Sequence, residues 1–327
     1  MKNIKILIAG GSGFIGTAVA EYFGKENDIV ILSRVKKGQV NNAYNRGGGK
    51  ESFKRHGRVV AWDGISSGEW CREIDGCNIV INLAGKSVNC RYNEHNKREI
   101  FSSRINATRA IGEAIKSAVV PPQLWINAAS ATIYKSATEH AFDEYNGEYE
   151  NDFSVQVCKL WERTFFEQRT AFTRKTALRM AVTLGAGGVM IPYLNLCKIG
   201  LGGKQGNGRQ MYSWVHIEDV CRAIEFLWQQ KELEGVYNLS SPNPVTNETF
   251  MRKLREVTGH VCGLHAPEWM LKTGATIIGT ETELLLKSRW VLPTKLLESG
   301  FAFKHNSVEE AFENIIAQLP RKAYHLF

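Results

Sequence analysis

Apolar residues recur along the first half of the chain as short continuous runs separated by stretches of helical spacing. Lys5 to Ala9 is such a run and leads at once into glycines, after which Ile15, Ala18, Val19, Tyr22 and Phe23 fall at i, i+3, i+4, i+7 and i+8. This predicts a strand, a tight turn and an amphipathic helix. Further strands are predicted at Asp28 to Leu32, Val59 to Trp62, Asn78 to Leu83 and Leu124 to Ala129, with Arg179 on a sixth. A long helix is expected from about Asn93 to Ala118, ended by Pro121 and Pro122. Strands alternating with helices imply right-handed crossovers and a parallel, doubly wound α/β sheet.

The texture changes near Gly185. A Gly-rich apolar segment, a helix from Asp219 to Gln229 and a strand at VYNLSS follow. A last helix opens with Ser307 and Glu310 in capping-box spacing, ahead of Val308, Ala311, Phe312, Ile315, Ile316 and Leu319. The expected organisation is a core over 1–184, rejoined by part of 216–240, and a smaller mixed α/β lobe made mainly of 185–327.

The chain has 327 residues, 43% hydrophobic and 23% charged, a mix that excludes disorder and allows a large buried core. Its net charge of +8 is concentrated: between Arg34 and Arg58 there are eight Lys/Arg and one acid. The segment 35–58 lacks apolar periodicity and reads as a solvated basic insertion, not a folded binding module. Seven scattered cysteines with no CxxC pair read as reduced thiols in a cytoplasmic protein, and no metal site is expected. The first apolar stretch is too short to span a membrane and runs into glycines where a cleavage site would lie.

Gly10, Gly13 and Gly16 stand as GxxGxxG between the first strand and its helix. One glycine permits the sharp turn, one lets backbone approach a pyrophosphate, and one allows close packing of helix on strand. This spacing in this place predicts a dinucleotide site. An acid at the end of the second strand would bind the ribose 2′-hydroxyl, but here Ser33 and Arg34 are followed by Lys36 and Lys37. Cations there suit a 2′-phosphate, so the expected cofactor is NADP(H).

The strings IAGGSGFIG, INLAG, INAASATIY and SWVHIEDVCRAI resemble the fingerprints of extended short-chain dehydrogenases/reductases, the nucleotide-sugar epimerase and dehydratase group. More narrowly, NLAG, CKLWE, NPVTNETF and VLPTKLLESGFAF resemble an atypical epimerase-like family with a C-terminal domain of unknown function. Its bacterial members carry cell-division-inhibitor or nucleotide-sugar-epimerase labels. The resemblance implies a Rossmann fold and cofactor contacts from Ser12, Phe14, Ile15, Ser33, Arg34, Leu83, Ala84, Gly85, Glu99, Arg104 and Thr183. It also sets Asp63 beside the adenine, although a turn or helix cap explains that residue equally well.

The resemblance implies a serine that orients the reacting oxygen and a tyrosine acid/base assisted by a lysine four residues on. Aligned on SATIY, Ser130 takes the serine place and Lys159 the lysine place, but Val155 stands where the tyrosine belongs. The narrower family often sets its serine at the position of Ala129. Tyr134 is the first candidate to replace the missing phenol, ahead of Cys158, Glu162 or a water held by Ser130 and Lys159. Arg104 fills the place of a helix asparagine, and Tyr212 that of an arginine that binds a sugar-nucleotide diphosphate. Arg209 and Arg179 are candidate substitutes for that arginine, and His216 reads as a loop hydrogen-bonding residue.

Three functions compete. The leading one is an NADP(H)-dependent oxidoreductase or epimerase-like enzyme acting on a small carbonyl or hydroxyl substrate. The second is a non-enzymatic NADPH-binding regulator that reports redox state to a partner. The third, nucleic-acid binding, has only Tyr44 and Phe53 as interleaved aromatics in the basic segment. The sequence leaves monomer and homodimer both open.

Overall fold

A run such as Ile6-Leu7-Ile8, apolar on both faces of the strand, is stable only where helices cover both sides of a sheet. The computed structural model, which describes residues 1–34, 56–271, 281 and 286–326, places that run at the centre of such a sheet. In chain order the first half comprises β1 (Lys5–Ala9), α1 (Phe14–Phe23), β2 (Asp28–Ser33), β3 (Arg58–Ala61), β4 (Ile79–Asn82), α2 (Glu94–Ser117), β5 (Leu124–Ser130), α3 (Phe153–Phe166) and β6 (Arg174–Met180). Then come β7 (Val182–Leu184), α4 (Met190–Lys198), β8 (Met211–Tyr212), β9 (Trp214–His216), α5 (Ile217–Gln229) and β10 (Gly235–Leu239). The chain continues through β11 (Val245–Thr246), α6 (Asn247–Thr258), α7 (Thr294–Glu298) and α8 (Val308–Ala317).

Seven strands form one sheet in the order β10-β6-β5-β4-β1-β2-β3, and every pairing is parallel. This is the Rossmann-type architecture that the alternating pattern predicts. The pleat divides the core: Ile6, Ile8, Ile29 and Ile81 face α1 and α5, while Leu7, Val30, Leu32 and Val80 face α2 and α3. A third apolar cluster joins α4, α6 and α8 around Trp214 and Phe250.

Capping chemistry sets the helix ends. Asn93 accepts from the Asn96 N–H at the start of α2, and Ser307 with Glu310 completes the expected capping box on α8. The fully buried Asp219 carboxylate ties the last segment to α5, accepting from the backbone of Lys304 at 2.8 Å and of His305 at 3.0 Å.

All seven cysteines are unpaired. Among the described residues no helix is long and apolar enough to cross a membrane. Of the basic insertion, 35–55 lie outside the described residues, while Arg58 makes a double hydrogen bond to Glu73.

Candidate functional site

The C-terminal ends of β1, β4 and β5 lie side by side, because Ala9 pairs with Asn82 and Asn82 with Asn127. Gly10 leaves β1 at φ +76°, a conformation that disfavours side chains, and a Cβ there would sit 2.8 Å from the Leu83 carbonyl and 2.9 Å from the Ala84 nitrogen. The first turn and the end of β4 therefore touch backbone to backbone. Gly13 is different: its Cβ would meet only the Gly10 oxygen, at 3.4 Å, so the space above it is open. Gly16 lets α1 press on the turn, where a Cβ would lie 2.5 Å from Gly11 Cα. Among the described residues no side chain caps α1, whose N-terminal amides and dipole favour an anion over Gly13.

Ser12 is exposed beside this turn, Ile15 packs on the core, and the Phe14 ring lies against Gly185, Gly187 and Gly188. Leu83, Ala84 and Gly85 are held by a buried amide network. Asn82 accepts from the Ala84 N–H and donates to Thr108 and Asn127, and Trp161 also donates to Thr108. Arg104 stands beside Gly85, its guanidinium donating to the carbonyls of Lys86 and Ile100 and lying 5.1 Å from the Trp161 ring. No carboxylate pairs with it among the described residues, and burial pulls its pKa down.

Ser33 is buried at the end of β2 and Arg34 is exposed just beyond it. Glu99 lies within electrostatic reach of Arg34. Its carboxyl is held below the usual range mainly by its hydrogen bond from Lys86, with smaller effects from His95 and Arg34. Thr183 is on β7, donating to the Ala181 carbonyl. Asp63 caps a turn, one carboxylate oxygen accepting from Ile65 and Ser66 at 2.8 Å each, so the turn explanation accounts for it.

At the end of β5 the Ser130 oxygen accepts from the Thr132 N–H, and among the described residues its own proton has no acceptor. Val155 is fully buried, so the tyrosine place is filled by core. Lys159 is exposed, with Nζ 5.1 Å from the Tyr149 ring. Tyr134 does not fit the role of substitute acid. Its phenol is fully buried, accepts from Arg179 at 2.7 Å and donates to Asn238 at 2.9 Å, and burial pushes its pKa up to about 12. Cys158 is likewise buried, its thiol pushed up to about 12 by burial and by Glu162.

The substrate-side candidates separate in the same way. Tyr212 is buried, sharing a hydrogen bond with Tyr193 and packing on Phe250. Arg179 is no diphosphate ligand here, because Glu162 takes the Nε and Nη2 of its buried guanidinium and Nη1 donates to the Tyr134 hydroxyl. Arg209 is exposed. His216 caps α5, its Nδ1 accepting from the Glu218 N–H at 3.2 Å. His216, Glu218 and His305 bring their ligand-type atoms within 4.8 Å of one another. Burial, then the His305 charge, lowers the His216 pKa to about 4, so the ring is neutral with its proton on Nε2. A metal needs the lone pair that this tautomer covers.

The parallel sheet and its glycine turn define a Rossmann-type α/β protein. The chain belongs to the NAD dependent epimerase/dehydratase family, whose model matches residues 6–240, and residues 266–315 match a domain of unknown function, DUF1731. It is 30% identical over 316 residues to the epimerase family protein YfhF of Bacillus subtilis, covering 96% of this chain and 98% of that protein. The mouse epimerase family protein SDR39U1 is 27% identical, covering 96% of this chain and all of that one. The crystal structure of human SDR39U1 with NADPH superposes with a TM-score of 0.82 at 24% identity, covering 97% and 100% of the two chains.

Proposed function

We propose that this chain binds NADP(H) and transfers hydride between it and a small carbonyl or hydroxyl compound. The observation that carries this reading is the convergence, on one edge of the sheet, of the Gly10 turn, the end of β4 and the unengaged Ser130 hydroxyl at the end of β5. In an open parallel sheet, ligands bind outside the carboxyl ends of the strands. The residues present fit a dinucleotide: Gly13 leaves the room a pyrophosphate needs, and Arg104 is a half-buried cation with no carboxylate partner among the described residues. Burying an unpaired charge is costly, and a phosphate beside it would offset that cost.

In this reading the open face over Gly13 and the α1 N-terminus hold the pyrophosphate. Ser12, Leu83, Ala84, Gly85, Glu99 and Thr183 line the bound dinucleotide, and Arg34 meets the 2′-phosphate. The NADPH of the human relative supports the choice of phosphate. Bound NADP(H) would supply the hydride. Ser130 donates a hydrogen bond to the substrate oxygen and so holds the carbonyl with one face turned to the hydride. The described residues of 185–327 supply most of the wall on the substrate side, and the seven unpaired thiols suit a cytoplasmic setting. Tyr212, buried against Tyr193, offers no cation to a sugar diphosphate, so a nucleotide sugar is not the substrate this site prefers.

Incubation with NADPH deuterated at C4 and a panel of small aldehydes, ketones and quinones tests the reading. Deuterium in the product alcohol, read by mass spectrometry, is the expected result. NADPH binding with no label transferred to any compound would instead favour the redox-reporting role.

A further inference from the structure

Reduction of a carbonyl requires a proton as well as a hydride, and the residues that motif position proposes for it are out of reach. Val155 has no proton to give, and the phenol of Tyr134 is spent on Asn238 inside the core. A third aromatic stands next to both. Tyr149 stacks on the Tyr134 ring at 5.9 Å and 19°, and its own face looks onto Lys159 Nζ at 5.1 Å and Arg179 Cζ at 5.9 Å. The segment carrying it is fastened to the turn that Ser130 opens. Lys135 N–H donates to the Glu148 carbonyl at 2.8 Å, Ser136 N–H to the Glu150 carboxylate at 3.3 Å, and Gly147 lets the backbone lie on the Tyr134 ring. Tyr149 is 44% exposed, and its hydroxyl has no hydrogen-bond partner among the described residues.

Resting on the oxidoreductase reading, we propose that Tyr149 is the proton donor of this site and that Lys159 stabilises the negative charge left on its oxygen. Hydride adds to the carbonyl carbon and the carbonyl π pair moves onto oxygen. That oxygen takes the phenolic proton while Ser130 holds it, giving alcohol, NADP⁺ and a tyrosinate that water reprotonates. The exposure of Tyr149 supplies the path for that last proton, which the buried Tyr134 lacks. Lys159 carries no carboxylate partner among the described residues, so its charge is available to the phenol.

Two readouts on the full chain test this. In the protein without cofactor, acetylation by N-acetylimidazole mapped by mass spectrometry should modify Tyr149 several-fold faster in the wild type than in Lys159→Met, with Tyr145, whose hydroxyl donates to Glu298, labelled equally in both as the internal reference. With NADPH and 9,10-phenanthrenequinone, Tyr149→Phe should lower kcat by roughly 10²- to 10⁴-fold, the usual worth of general acid catalysis, while NADPH affinity is unchanged. Labelling of Tyr149 at equal rates in the wild type and Lys159→Met, or a Tyr149→Phe enzyme that keeps its kcat, overturns the proposal and leaves the oxidoreductase reading standing. Wild-type protein that binds NADPH but transfers hydride neither to the quinone nor to any aldehyde or ketone of the panel fails the oxidoreductase reading itself, and the role of Tyr149 falls with it.

Discussion

Glu162 on α3 and Arg179 on β6 form a bidentate pair, Oε1 accepting from Nε and Oε2 from Nη2 at 2.8 Å each, with side chains only 10% and 8% exposed. Burial works against the Arg179 charge, yet the hydrogen-bonded Glu162 carboxylate raises its pKa above the ordinary value. The remaining Nη1 reaches Tyr134, whose hydroxyl continues to Asn238 and from there to the Leu292 carbonyl. One chain of bonds thus joins the helix that carries Lys159 to the C-terminal segment.

Removing one half of this pair strands the other. Glu162→Ala is expected to cost about 3–5 kcal/mol, because a buried guanidinium is left without its counter-charge. The double variant Glu162→Met with Arg179→Met should recover most of that loss. Urea unfolding of the three proteins checks it, and a Glu162→Ala stability within about 1 kcal/mol of wild type would show that the pair is not the anchor described here.

The glycines of the first turn should separate into two kinds. Gly10→Ala meets the Leu83 backbone at 2.8 Å in a left-handed conformation, so it should lower the melting temperature and binding together. Gly13→Val has open space in the protein alone, so it should fold normally and lose NADPH, whose pyrophosphate needs that space. Calorimetric titration beside a melting curve distinguishes the two. Undiminished affinity in folded Gly13→Val would place the nucleotide elsewhere.

Restoring the missing tyrosine at its aligned position should fail. Val155 is fully buried, and a phenol there overpacks the core by several atoms, at a cost of about 1–3 kcal/mol. A Val155→Tyr protein as stable as wild type in urea would mean that the helix can open at this point.

How much of this was readable beforehand follows from how local each cause is. β1 and α1 were legible because Ile6-Leu7-Ile8 and the spacing of Ile15, Val19 and Phe23 carry their burial in the sequence itself. The turn was legible for the same reason, since Gly10, Gly13 and Gly16 state a backbone requirement at fixed spacing. The two- and three-residue strands β7, β8, β9 and β11 were not, because each exists only through its pairing with a distant partner, such as Leu184 with His216. The helices α3, α4, α6 and α7 also went unpredicted. Tyr134 matched a motif position, but its burial is set by Arg179 and Asn238, distant in sequence. Tyr149 belongs to no motif and meets Lys159 only in the folded chain.

His216 gives the fold an acid-sensitive joint. Its pKa falls from an ordinary 6.5 to about 4, through burial and then the neighbouring His305. Above pH 6.5 the ring is neutral whether the chain is folded or not, and the shift contributes nothing. Between pH 6.5 and 4 the unfolded chain takes up a proton that the folded one refuses, so stability falls as pH falls, by about 3 kcal/mol at most. His216→Asn keeps an oxygen to cap α5 and does not titrate, so its unfolding free energy should depend less steeply on pH in that window. Equal slopes for the two proteins would remove His216 as the cause.

Isothermal titration of NADPH and NADH into the wild type and Arg34→Ala shows whether the cradle at the ends of β1, β2 and β4 is built for a phosphorylated dinucleotide. A charge-assisted contact to the 2′-phosphate contributes about 1.5–3 kcal/mol, so the wild type should bind NADPH roughly ten- to a hundredfold more tightly than NADH. Arg34→Ala should close most of that gap while leaving NADH affinity unchanged. Equal or reversed affinities in the wild type would mean that nothing at the end of β2 recognises the 2′-phosphate.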